Sequence, residues 1–260
     1  MSAAATRTTP SGSDACVATS GSRRFCFFAF GLGYRDDELN AFNLTKAQRF
    51  HRFVEGVEII KRLWTENDVS FHGTAFKLKH VSVDPKPLHK PRPPIWIAAN
   101  SDAAVVRAAT IGDGWMIGPH SAIDELERQV ALCRETWSAA GKPGSPDIPI
   151  IRETFVAKTR KEAIEKARPC LEQLYRTIYV KWKQNESMSD PSELSWAFDR
   201  LSKARFILGS PEECREQIQE YESRLGVQYI LPRFDWTPGL PQEEILSSMR
   251  LFGEKVIQKL

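Results

Sequence analysis

A chain of 260 residues, 42% of them hydrophobic, is long enough to bury a sizeable core as one domain or at most two. Its 36 basic and 33 acidic side chains are interleaved and nearly cancel, leaving +3, which argues against a nucleic-acid binder with its basic residues gathered on one face. Five widely spaced cysteines with no Cys-x-x-Cys pair make a disulfide framework or a zinc site unexpected, and no apolar run approaches the roughly 18 residues of a membrane span. The expected setting is a soluble one in a reducing cytoplasm, without metal, nucleic-acid or membrane partners.

Residues 1–24 are dominated by Ser, Thr, Ala and Gly, with Arg7, Arg23 and Arg24 against Asp14. They lack a signal-peptide core and an amphipathic pattern, so a disordered leader outside the fold is expected, with the folded domain at 25–260. Phe25-Cys-Phe-Phe-Ala-Phe30 then reads as a buried strand ending at Gly31-Leu-Gly33. Thr45 and Gln48 have capping-box spacing, and Phe50, Phe53, Val54, Val57, Ile60 and Trp64 form the stripe of a helix. Residues 69–78 have the pattern of a hairpin turning at Gly73. Prolines 85, 87, 91, 93 and 94 forbid a helix and lead into a strand, Ile95-Trp-Ile-Ala-Ala99.

Ser101 is placed to cap a helix through Ala109, 114–118 reads as a strand, and Ile123, Leu126, Val130 and Trp137 mark a further helix. A strand over 150–157 precedes a long helix opened by Thr159-x-x-Glu162. Ser210-Pro-Glu-Glu213 is a capping box with proline at its favoured first position. A strand over 227–231 and a helix over 241–260 close the chain. Repeated β-then-α units predict an α/β fold with a parallel sheet, and the five visible strands slightly favour an open sheet over a barrel.

Several stretches resemble the bacterial-luciferase-like family of flavin-dependent oxidoreductases. They are Gly31-Leu-Gly-Tyr-Arg-Asp-Asp-Glu38, Glu55-Gly-Val-Glu-Ile-Ile-Lys-Arg-Leu-Trp64, Pro93-Pro-Ile-Trp-Ile-Ala-Ala-Asn-Ser101 and Arg107-Ala-Ala-Thr-Ile-Gly-Asp-Gly-Trp115. Arg152-Glu153, Arg205-Phe-Ile-Leu-Gly-Ser-Pro-Glu-Glu-Cys214 and Ser247-Ser-Met-Arg-Leu-Phe252 follow in the family's order. The resemblance implies a (β/α)₈ TIM barrel that holds FMN or a deazaflavin coenzyme at the C-terminal ends of its strands. The segment similar to the fourth strand begins near residue 25, where roughly 90 residues of earlier strands would be expected at about 30 per unit. The expectation is therefore a barrel incomplete at its N-terminus, with about strands 4 to 8 present. It would be a monooxygenase or reductase for a small organic substrate, or a non-catalytic remnant or partner-completed subunit of one; a homo-oligomer is left open.

Asn100, Ser101 and Ala104 lie where a strand meets a helix, so free N–H groups and the helix dipole could hold a phosphate there. The plain alternative is a serine cap. The resemblance places the flavin phosphate at this turn and passes Gly31 and Gly33 close to the cofactor; a turn glycine is the duller reading. His120 follows a strand, Arg152 sits within one and Arg233 ends one; all three are candidates for the substrate pocket, with a loop histidine without a role and an Arg152–Glu153 structural pair as the alternatives for His120 and Arg152. Trp182 and Gln184 fall in a long segment where the family has a mobile substrate loop. No Gly-x-Ser-x-Gly elbow, His-Glu-x-x-His, P-loop or complete Gly-x-Gly-x-x-Gly is present, and no general base is identified.

Overall fold

The computed structural model describes residues 17–20, 23–188, 190–236 and 238–260. The leader expected over 1–24 lies mostly outside the described residues. Strand β1 (Val17–Ser20) falls within it and pairs antiparallel with β2 (Arg23–Cys26).

The chain divides into two compact units. The first comprises the described residues up to 98 together with 111–114. The aromatic run expected as one strand is broken at Phe27, whose ring turns onto Trp96 with centroids 3.9 Å apart. Strand β3 (Phe28–Gly31) starts just after the break. Helix α1 (Asp36–Ala41) is short, and α2 (Lys46–Thr65) opens with the expected capping box between Thr45 and Gln48. Strands β4 (Val69–His72) and β5 (Lys77–Val81) form the hairpin. The Glu55 carboxylate of α2 accepts from the N–H groups of Thr74, Ala75 and Phe76 at 2.7–3.0 Å, which satisfies the hairpin turn. Strand β6 (Ile95–Ala99) runs parallel to β3, with Phe28 opposite Ile95 and Gly31 opposite Ala98. Asp113 ties this register down: its carboxylate accepts from Ile95 N–H at 2.7 Å and from both ends of the Arg92 guanidinium.

The second unit comprises residues 99–110 and 115–260. In chain order it carries α3 (Asp102–Ile111), β7 (Gly114–Ile117), α4 (Ile123–Ala139), β8 (Pro149–Val156) and α5 (Arg160–Gln173). The path of α5 continues as a π-helical turn, Leu174–Tyr179, and then as two 3-10 turns, Gln184–Ser187 and Pro191–Ser195. Helix α6 (Phe198–Arg205), β9 (Ile207–Gly209), α7 (Pro211–Leu225), β10 (Tyr229–Arg233) and α8 (Gln242–Lys255) complete it.

Strand β8 is the hub. Its first five residues pair with β10, Ile150 pairs with Ile117 of β7, and its last three residues pair with β9, all in parallel. Seven of its eight residues are buried, as a parallel strand covered on both faces requires. Among the described residues six strands pair in parallel, one more than the sequence shows, because the three-residue β9 is too short to carry a pattern. The last strand lies two residues later than expected and runs through Pro232. Helix α8 ends at Lys255, and a 3-10 turn over Ile257–Lys259 replaces its last stretch.

The capping box at the start of α7 is complete: Ser210 Oγ accepts from Glu213 N–H, and the Glu213 carboxylate accepts from Ser210 N–H at 2.8 Å. Ser210→Ala should lower the unfolding free energy by about 1 kcal/mol in a urea melt, with an unchanged slope. No change in the midpoint would show that the cap contributes nothing here.

Candidate functional site

The second unit gathers an unusual number of buried polar groups around residues 118–121, the loop that leaves β7. Arg152, Glu153 and Arg205 are fully buried, and His120, Ser121, Gln129, Gln184 and Glu193 nearly so. The loop's four successive carbonyls are all hydrogen-bonded by buried side chains. Arg152 donates to Gly118 O at 3.2 Å and to Ser121 O at 3.3 Å, Tyr175 Oη lies 2.9 Å from Pro119 O, and Arg205 Nε donates to His120 O at 2.6 Å. Arg205 also pairs with Glu193 of the Pro191–Ser195 turn.

Arg152 and Glu153 do not pair with each other. Arg152 is held by carbonyls and by the ring of Tyr221, 4.8 Å from its guanidinium carbon, and no carboxylate forms an ion pair with it among the described residues. Glu153, the next residue along the strand, meets a different set. Its Oε2 lies 2.9 Å from Tyr175 Oη and its Oε1 3.2 Å from Tyr179 Oη, which in turn accepts from Arg233 Nη1 at 2.8 Å. Tyr175 has one hydroxyl hydrogen but two acceptor neighbours, Pro119 O and Glu153 Oε2, both at 2.9 Å. Every contact is satisfied when Glu153 carries a proton, donates it to Tyr175, and Tyr175 donates to Pro119. Burial pushes the Glu153 pKa up in the same sense, against the opposing pull of Arg233.

His120 sits edge-on to Tyr179, with ring centroids 4.5 Å apart. Its pKa is pushed down to about 3, first by burial and then by Arg152, Arg233 and Arg205, so the imidazole is neutral. Its Nδ1 is buried without a hydrogen-bond partner among the described residues, as is Nε2 of Gln184. Asn100 joins these two: its Nδ2 lies 3.5 Å from Gln184 Oε1, and its backbone carbonyl accepts from Gln129 at 2.9 Å. A Cβ built on Gly118 would stand 3.0 Å from Asn100 Oδ1 and 3.3 Å from His120 Nδ1. Glycine at 118 therefore lets the Asn100 and His120 side chains close in on the loop backbone, where any Cβ would crowd them.

Of the turn at the start of α3, Ser101 closes the helix through its carbonyl, which accepts from the N–H groups of Ala104 and Val105 at 2.9 Å. The N–H groups of Asp102 and Ala103, which a helix cannot satisfy internally, are the ones an anion would meet. Asp102 places a carboxylate at this end, but Arg128 neutralises it through two 2.8 Å bonds and, with Gln129, holds its pKa below the usual range. In the first unit, Gly31 ends β3 and could accept a methyl at ordinary contact with Ala98. Gly33 has φ +77°, which favours glycine, and its carbonyl accepts from Arg49 at 2.6 Å.

The structure thus brings Asn100, His120, Arg152, Arg233 and Gln184 into one unit with shared neighbours. Gly31 and Gly33 belong to the other unit. Sequence reasoning missed Tyr175, Tyr179, Glu193 and Arg205 as members of the network. Tyr175 and Tyr179 have helical spacing that reads as core, and Arg205 stood inside a quoted motif without a role.

Parallel strands joined by helices, with buried polar groups gathered after the ends of β6 and β7 and along β8, define an α/β protein of parallel-strand architecture. The chain belongs to the luciferase-like monooxygenase family, whose pattern matches residues 26–228. It is 28% identical over 222 residues to an F420-dependent glucose-6-phosphate dehydrogenase of Microbacterium testaceum (strain StLB037), covering 82% of this chain and 61% of that protein. It is 27% identical over 200 residues to an FMNH(2)-dependent dimethylsulfone monooxygenase of Pseudomonas putida, covering 72% and 54%. Among solved structures, the monooxygenase RslO1 from Streptomyces bottropensis superposes with a TM-score of 0.74 at 27% identity, over 90% of this chain and 68% of that one. The luciferase-like barrel fold is therefore present in part, and the chain spans little more than half the length of these curated relatives.

Five histidines occur in the sequence, and His120 is the one buried among them. In an NMR titration its ring signals should stay those of a neutral imidazole from pH 8 to below pH 5. Because the unfolded chain protonates this histidine near 6.5 and the folded protein only near 3, the unfolded state binds more protons in that window. His120 should therefore make stability fall as the pH drops from 6.5 towards 3. In urea melts at pH 7 and pH 5, His120→Gln should lessen that fall. A wild-type His120 that titrates near 6.5 would contradict the burial described.

Proposed function

We propose that this chain binds a reduced flavin or its deazaflavin analogue and belongs to an oxidoreductase, a monooxygenase or reductase acting on a small organic substrate. The observation that carries this reading is a pair of buried, unpartnered polar atoms, His120 Nδ1 and Gln184 Nε2, with Asn100 beside Gln184. Buried polar groups without partners are rare in native proteins and are expected where a ligand completes them.

A cofactor phosphate fits the turn at Asn100, Ser101 and Ala104, where the amides of Asp102 and Ala103 and the α3 dipole would meet it. Asn100, His120 and Gln184 would bind the acceptor-rich edge of the same group. His120, being neutral, adds a hydrogen bond without adding charge. Bound flavin would supply the hydride or oxygen chemistry, and the protein its placement. Arg233, one-third exposed and bonded to Tyr179, is the cation best placed to meet a substrate. Both named relatives use a cofactor of this kind, an F420 for the dehydrogenase and an FMNH2 for the monooxygenase.

The test is titration of the protein with FMN, with riboflavin and with F420, followed by flavin fluorescence. FMN or F420 should bind saturably, and riboflavin, which lacks the phosphate, at least about ten-fold more weakly. Gly118→Ala should weaken binding of FMN or F420 and lower the melting temperature by a few degrees, since its Cβ presses on the Asn100 and His120 side chains. Ser101→Asp should stay folded, because Asp is also a good cap, yet lose the phosphate-bearing ligands through like-charge repulsion. Equal affinity for FMN and riboflavin in the wild type would remove the α3 turn from the site.

A further inference from the structure

Residues 118–121 make a loop with no regular hydrogen-bonding ladder of its own, yet its four carbonyls are held by three side chains from three elements. Arg152 reaches it from β8, Tyr175 from the π-helical turn and Arg205 from the end of α6, and all three side chains have essentially no exposure. The two carbonyls that bracket the His120 backbone are those held by Tyr175 and Arg205. In a trans peptide the C=O and N–H point in opposite directions. Holding Pro119 O and His120 O therefore turns the N–H groups of His120 and Ser121 away from Tyr175 and Arg205. The Glu193 carboxylate pairs with Arg205 on the far side of this loop.

We propose that Arg205 is a positioning residue: through the His120 carbonyl it sets the orientation of the His120 imidazole and of the loop amides beside Gly118, without touching the ligand itself. This rests on the cofactor reading above only for the part that concerns ligand affinity. Arg205 suits the task because a planar fork can hold His120 O through Nε and Glu193 through Nη2 at once, whereas a lysine ammonium has no such fixed geometry. Glu193 belongs to the Pro191–Ser195 turn, so the same pair anchors a segment with little regular structure to the loop it orients. Tyr175 supports the neighbouring peptide in the same manner. Its hydroxyl is the one part of the arrangement that can be removed without removing a charge.

The experiment uses the full chain carrying Arg205→Lys, which keeps the charge, and separately Tyr175→Phe, which keeps the ring packing. Two measurements are made: the His120 ring signals by NMR in the ligand-free protein, and the affinities for FMN, F420 and riboflavin alongside a thermal melt. For Arg205→Lys the His120 signals should shift. The affinity for FMN or F420 should fall about ten-fold or more, as misplacement of a binding group by a fraction of an ångström entails. Riboflavin affinity should change less than about two-fold. Tyr175→Phe should move both readouts the same way and by less, and it stands in should Arg205→Lys fail to fold. Unshifted His120 signals in a folded variant would overturn the proposal, as would equal weakening of all three ligands in step with the melting temperature. Should the wild type bind neither FMN nor F420, the cofactor reading fails, and the ligand-free ring signals still decide the positioning role.

Discussion

Burying an arginine is costly unless its charge and most of its five N–H groups are met, since an uncompensated buried charge costs several kcal/mol. Within the second unit Arg152 and Arg205 are buried and Arg233 half-buried, and each is met differently, with Arg152 Nε and Arg205 Nη1 left without a partner among the described residues. Arg152 is met by backbone carbonyls and an aromatic face, Arg205 by a carboxylate and a carbonyl, and Arg233 by a tyrosine hydroxyl and a carbonyl. Much of the local architecture follows. The loop after β7 must present its carbonyls inward, the π-helical turn must bring two tyrosines to Glu153, and the irregular stretch before α6 must supply Glu193. Satisfying these groups specifies one arrangement of chain segments that carry little secondary structure to specify themselves.

The same arginines set the electrostatics. With three guanidinium groups acting on it in a dry environment, His120 stays neutral, and the hydrogen count around Tyr175 assigns a proton to Glu153. The two groups act on stability in opposite senses. A depressed histidine pKa weakens the fold as the solution is acidified, whereas a raised carboxyl pKa favours the fold at low pH, and its contribution is lost as the pH rises through the folded value. Around neutrality the His120 imidazole is uncharged.

What the sequence shows and what it hides divide along a physical line. Features determined within a few residues were legible: the capping boxes at Thr45 and Ser210, the hairpin at Gly73, the alternation of strands and helices, and Arg233 at a strand's end. The family was legible through the order of its motifs. Strand β9 escaped because three residues cannot display a period, and β10 was misplaced because Pro232 reads as a terminator. Alternate residues of a parallel strand turn their N–H to opposite sides, and among the described residues β10 pairs with β8 alone, so a missing donor there need cost the ladder nothing. The roles of Tyr175, Tyr179, Glu193 and Arg205 depend on contacts 12 to 85 residues apart in the chain, and no local pattern announces them.

The π-helical turn at Leu174–Tyr179 has a consequence for phase. Each residue of an α-helix advances the chain by about 100°, so one extra residue accommodated in a wide turn rotates everything beyond it by that angle relative to an uninterrupted helix. What lies beyond is Lys183, in the left-handed region at φ +58°, and then Gln184, whose amide meets Asn100. The wide turn thus offsets the last helical residues, Val180 and Lys181, from the period by which α5 packs, and the turn at Trp182–Lys183 then carries the chain to Gln184. An insertion of this kind lets a fold redirect one segment towards a ligand while leaving the packing of α5 untouched. Chains that share the barrel but differ by one residue here would share a scaffold and present a different face to whatever the site binds.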